Sequence, residues 1–140
     1  MRLQLALNVP DLEAAIVFYE KLFSVTVAKR KPGYANFEIS QPALKLVLFE
    51  SESSDRLNHL GVEVFNDQAV DDVTAHLKEV GLATTRNETN ECCFALQNKV
   101  FTHAPDGTMW EWYRKIQDTQ TIKGLETPKD AEPTPQATCC

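Results

Sequence analysis

The chain runs twice through the same order of patterns. "LQLALNVPDLEAAIVFYEKLF" begins as an alternating strand and turns into a helical spacing, and the order returns with "HLGVEV" and "DQAVDDVTAHLKEVG". Gln4 stands opposite His59 at an offset of 55 residues, and Phe37 of "NFEI" stands opposite Phe94 of "CFAL" at an offset of 57. A repeat of this length is one supersecondary unit that cannot bury its apolar face alone, so the copies have to pack on each other.

Each copy reads as a βαβββ module. In the first, Leu3, Leu5, Leu7 and Val9 fall on one side of a strand and Gln4, Ala6 and Asn8 on the other. Pro10–Asp11 starts a helix with Leu12, Ala15, Ile16, Tyr19 and Phe23 at helical spacing, and strands follow around "YANFEIS" and "ALKLVLFE". In the second, Val70, Val73, Leu77 and Val80 mark the inner side of a helix. "CCFALQ" and "KVFTHA" read as separate strands, and "PDG" as a turn before the strand "TMWEWYR". The expected fold class is α+β, with two βαβββ modules (about 1–52 and about 56–115) whose curved mixed sheets pack together around a ligand site. From 116 to 140 the chain is rich in Thr, Pro, Gln and charge and has no apolar period, so it reads as a flexible tail.

Composition narrows the function. With 14 basic against 20 acidic residues the net charge is −6, which argues against nucleic acid and anionic membrane as partners. The N-terminal apolar run is far too short to span a bilayer, and the expected location is the cytoplasm. The four cysteines form two vicinal pairs, Cys92–Cys93 and Cys139–Cys140, which is not the layout of a disulfide framework. Such thiols in a reducing compartment suit soft ligands.

With "LQLALNVPDLEAAIVFYEKLF", "NHLGVEV" and "APDGTMWEWY", the chain resembles the vicinal oxygen chelate superfamily, the glyoxalase/bleomycin resistance/extradiol dioxygenase group. "PGYANFEI", "LKLVLFE" and "ECCFALQNKVF" resemble more narrowly the ArsI-type carbon–arsenic lyases and the CadI-type cadmium-induced proteins. That resemblance implies a glyoxalase-like fold and one divalent metal, Fe(2+) in the lyases, on Gln4, His59 and Glu111. It implies that Cys92 and Cys93 grip a trivalent organoarsenical that is degraded with O2 to arsenite. A homodimer and a self-contained pair of modules are both compatible with it. The chain departs from the family at Ser24, where a glycine is usual after the first helix, and at Ala104, where an Asp is usual.

The residue types suit that chemistry. An amide oxygen, an imidazole and a carboxylate make a facial N/O set with positions left open. Each residue alone is more often a hydrogen-bonded core His, a solvent-facing Glu or a plain polar strand residue. Two thiolates can displace the two hydroxides of R–As(OH)2, provided the sulfurs lie together. Adjacent side chains of a regular strand point to opposite faces, so the pair is expected at an irregular strand start, with "RNETNE" as the loop before it. Small buried hydrophobes and a vicinal disulfide are the alternatives. Cys139 and Cys140 are candidate accessory thiols, Lys99 and His103 candidate pocket residues, and His76 an exposed helix residue. Two other functions stay open: a cadmium- or arsenite-binding protein without turnover, and a glyoxalase-like isomerase or thiol transferase.

Overall fold

The computed structural model describes residues 1–92 and 94–119, without the side chains of 88–90 and 92. Cys93, Cys139 and Cys140 therefore lie outside the described residues. The order is β1 (Arg2–Val9), α1 (Leu12–Phe23), β2 (Lys29–Lys31), β3 (Tyr34–Ile39) and β4 (Leu44–Glu50). Then come β5 (Leu57–Glu63), α2 (Asp67–Glu79), β6 (Thr85–Cys92), β7 (Ala95–His103) and β8 (Met109–Asp118). This is βαβββ twice.

The two modules form the expected curved mixed sheet, sharing it edge to edge rather than facing each other as separate sheets. They join into one eight-stranded sheet in the order β2-β3-β4-β1-β5-β8-β7-β6. The antiparallel β1–β5 pair is the seam, with Gln4 opposite Gly61, and each module closes on a parallel pair, β1–β4 and β5–β8. The sheet curls without closing, and β2 approaches the start of β7 and the end of β8. Lys29 of β2 donates to the carbonyl of Phe94 at 3.0 Å and to the carboxylate of Asp118 in β8.

Alternation assigns the two faces. Leu5, Leu7 and Val9 pack with Phe37, Leu46 and Leu48 under Leu12 and Ile16 of α1, while Val62, Val100 and Trp112 pack under Val70 and Leu77 of α2. The opposite, concave face carries no helix. Its residues are nonetheless buried and mostly polar: Gln4, Asn36, Lys45, His59, Glu63, Lys99 and Glu111 are each at most 6 % exposed. They are covered by the curling of the sheet.

Local signals explain the helices. Asp11 caps α1 by accepting from the Ala14 N–H at 2.9 Å, and Asn66 caps α2 by accepting from Ala69 at 2.8 Å. Ser24 ends α1 in the left-handed region at φ 53°, the conformation glycine adopts without strain. Val80 is exposed rather than inward, because α2 has ended there and Val80 is its C-cap. "RNETNE" is not a loop but most of β6, and "ALQNKVFTH" is one strand rather than two, since β7 supplies a continuous partner for both β6 and β8.

Candidate functional site

Three central strands each place one donor on the concave face. Gln4 comes from β1, His59 from β5 and Glu111 from β8, and all three are buried. Gln4 Nε2 lies 3.0 Å from His59 Nε2 and 2.9 Å from Glu111 Oε1, and His59 Nε2 lies 3.2 Å from Glu111 Oε1. The three predicted metal residues thus form a triangle with edges near 3 Å. One face of an octahedron with bonds of about 2.1 Å has edges of about 3 Å, so the triangle fits a six-coordinate ion with three positions left over. Among the described residues no group of three or more His, Cys, Asp and Glu gathers at metal-binding spacing. A metal held at this triangle would need the Gln4 amide as its third donor, through the oxygen rather than the nitrogen. Rotating the amide by half a turn brings Oε1 into the triangle and Nε2 to the Tyr113 hydroxyl, which now donates to Oε1 and is equally able to accept.

A glycine lets the triangle close. Gly61 faces Gln4 on one side and Glu111 on the other, and a Cβ there would lie 3.0 Å from Glu111 Cγ and 3.4 Å from Gln4 Cβ.

The tautomer of His59 is fixed from a distance. The register shift between Ala6 and Leu7 leaves Asn58 as an extra residue on β5, and this bulge lets Asn58 Oδ1 meet His59 Nδ1 at 2.7 Å. Asn58 Nδ2 donates to Asn8 Oδ1 at 2.9 Å, and Asn8 Nδ2 donates to the Asp55 carbonyl at 2.9 Å. A carbonyl only accepts, so each amide in the relay has one orientation, and His59 must donate through Nδ1. Its Nε2 lone pair is left facing the triangle, as a ligand requires.

Electrostatics keep the carboxylate ionised. Burial by itself would raise the Glu111 pKa, but the charge of the Lys99 ammonium at 3.3 Å overcomes it and holds the group at about 2. Burial pushes the Tyr113 hydroxyl up, with the charges of Glu63 and Glu111 adding to it, so the group stays a neutral hydroxyl. Burial pulls the Lys45 ammonium down, against the opposing pull of Glu63.

The triangle borders a narrow cleft with about 20 Å³ of interior space. One wall is apolar, built from Tyr34, Val47 and Phe49, with the Phe94 ring 5.4 Å from that of Tyr34. The other carries Lys45, Lys99 and Lys115. Lys99 faces the cleft as expected, whereas His103 is exposed at the far end of β7 and His76 is exposed on α2. Cys92 ends β6, paired with Ala95, and Ala95 lines the cleft. Phe94, just before β7, lies in the left-handed region at φ 60°. Sequence reading missed Gly61, Tyr113, the Asn58–Asn8 relay and Lys45. Only Lys45 left a signal, a charge interrupting "ALKLVLF".

Comparison with known proteins identifies the architecture. The sequence model of the Glyoxalase/Bleomycin resistance protein/Dioxygenase superfamily matches residues 3–112. The chain belongs to that superfamily. It is 48% identical over 140 residues to the cadmium-induced protein CadI of Mycobacterium tuberculosis, covering 99% of this chain and 92% of that one. It is 48% identical over 137 residues to a trivalent organoarsenical cleaving enzyme of Thermomonospora curvata, covering 93% and 91%. Among solved structures, the 2,3-dioxygenase LapB of Pseudomonas sp. KL28 superposes with a TM-score of 0.64 at 20% identity, covering 93% of this superfamily member and 46% of LapB. Homoprotocatechuate 2,3-dioxygenase of Brevibacterium fuscum gives 0.61 at 20% identity, covering 84% and 33%. The chain thus spans less than half of either dioxygenase, and these two likenesses concern the fold alone.

Proposed function

We propose that this protein is an Fe(II)- and O2-dependent carbon–arsenic lyase that releases arsenite from trivalent organoarsenicals. The observation that carries the reading is the Gln4–His59–Glu111 triangle, with edges of 2.9–3.2 Å, in the same cleft that Ala95, the partner of Cys92, lines. The relatives named for organoarsenical cleavage supply the substrate class.

Each step asks something of the chain's own residues. Cys92 and Cys93 exchange for the two hydroxides of R–As(OH)2, releasing two waters and fixing arsenic on the two sulfurs. Thiolates are required for this, so the exchange is faster as the thiols approach their ordinary titration range near ~8.5. The apolar wall of Tyr34, Val47 and Phe49 accepts the organic group R and excludes water from it. Gln4, His59 and Glu111 would hold the metal, which supplies activation of O2. The Asn58–Asn8 relay orients the His59 ring with Nε2 towards the triangle, and Lys99 keeps Glu111 ionised. Holding both reactants on fixed ligands removes much of the orientation entropy of their encounter.

Arsenite released from methylarsenite by iron-loaded protein, with and without oxygen, tests the reading. Oxygen-dependent turnover that disappears in Cys92→Ser/Cys93→Ser supports it, and full activity in that variant refutes the role of the thiols. The relatives named for cadmium induction favour a second reading, sequestration of a soft metal by the same thiols. A sequestrant binds stoichiometrically and releases no arsenite.

A further inference from the structure

The described residues contain two buried ammonium groups whose hydrogen-bonding capacity the protein leaves largely unused, both in the cleft of the triangle. Lys45 is 6 % exposed and Lys99 1 % exposed. An ammonium carries three donors. Lys99 has one acceptor, Glu111 Oε2, at 3.3 Å. Lys45 has one, Glu63 Oε1, at 3.5 Å, and beyond that only the face of the Tyr113 ring, 5.2 Å from its centroid. Glu63 is itself shared with Arg2. A buried cation so thinly paired is costly unless something else completes its shell.

The local charge points the same way. The chain is net negative, yet Lys29, Lys45, Lys99 and Lys115 line the cleft with Glu111 as the single carboxylate among its lining residues. A divalent ion on the triangle would make the cleft more positive still. Glu63, which anchors Lys45, lies two residues beyond Gly61 along β5, a rise of roughly 7 Å from the centre of the triangle.

We infer that Lys45 and Lys99 form a receptor for an anionic oxygen group on the organic part of the ligand, so that the cleft selects compounds bearing a carboxylate or phenolate over uncharged ones. The inference rests on the lyase reading for the identity of the arsenic-bearing substrate, but the anion site itself does not.

The test compares 4-carboxyphenylarsenous acid with phenylarsenous acid on the iron-loaded full chain. The native protein is expected to favour the carboxylate by at least about tenfold in kcat/KM. Lys45→Met brings the ratio to within about twofold of one, and Lys45→Arg, which keeps the charge, retains most of it. Lys45→Gln replaces the Met variant should that one fail to fold. A native ratio near one, or a ratio that survives Lys45→Met, overturns the inference. Calorimetric titration of metal-free protein with benzoate separates this result from the fate of the lyase reading. Should neither arsenical be cleaved, benzoate binding that weakens about tenfold in Lys45→Met upholds the anion site alone, and absent or Lys45-independent binding overturns it.

Discussion

Replacing Gly61 with Ala tests the triangle without touching any of its donors. The new Cβ would stand 3.0 Å from Glu111 Cγ and 3.4 Å from both Cβ and Nε2 of Gln4. Carbon atoms settle at about 3.5–4.0 Å, so Glu111 has to retreat by about half an ångström or more. Two edges of the triangle, now 2.9 and 3.2 Å, lengthen by a similar amount. An octahedral face with edges of about 3.5 Å implies bonds of about 2.5 Å, too long for an ion that prefers about 2.1 Å. We expect affinity for Co(II) or Fe(II) to fall about 10- to 100-fold, the range found when supporting groups of a metal site are disturbed. Stability should fall by up to about 2.5 kcal/mol, because overpacking costs about 1–3 kcal/mol while removing a strand glycine returns about 0.5–1 kcal/mol. Anaerobic calorimetric titration measures the affinity, and thermal denaturation of the metal-free protein confirms that the variant folds. A folded Gly61→Ala protein with affinity within twofold of native would refute the assignment of the metal to Gln4, His59 and Glu111.

Other perturbations separate the parts of the site. Tyr113→Phe leaves one end of the buried Gln4 amide without a partner in either orientation, and should weaken metal binding about tenfold by the same titration while the fold persists. Ser24→Gly relieves a left-handed C-cap and should stabilise the protein by about 0.5–1 kcal/mol in chemical denaturation, leaving metal affinity unchanged. Glu111 is depressed to about 2 in the folded state from an ordinary 4.5, so its contribution is complete above pH 4.5 and lost as the pH falls from there towards 2. In metal-free protein the stability gap between native and Glu111→Gln should accordingly shrink across that window; a gap that stays constant would show that the carboxylate gains nothing from Lys99 and His59.

The repeat offset and the strand alternation made most of the architecture legible, because a period of two and a period near 3.6 are written in side-chain order. Leu5 and Leu7 on one face of β1 and Gln4 and Ala6 on the other read correctly. What covers each face did not, since burial of Gln4 and Glu111 comes from the curl of the whole sheet rather than from a second layer. β6 was missed for a related reason. "RNETNE" is polar and reads as loop, but its backbone finds partners on β7 whatever its side chains prefer. Gly61 and the Asn58 bulge were out of reach because both depend on β-pairing register, which no local pattern states.

The superfamily fold also explains why the triangle has three donors rather than four. The repeat relates Gln4 to His59 and, through the parallel pairs β1–β4 and β5–β8, relates Val47 to Glu111: Ala6 pairs with Val47 where its counterpart Gly61 pairs with Glu111. Two carboxylates at these positions would surround a central ion from both modules. Val47 instead places an apolar side chain in the cleft wall, packed with Ala6, Tyr34 and Phe94. Metal sites that close their coordination with protein ligands are structural, and those that leave a position open admit substrate. On the lyase reading, this one departure from the internal repeat turns a symmetric cage into a site with an open side and lines that side with the surface an arsenic-bound carbon needs.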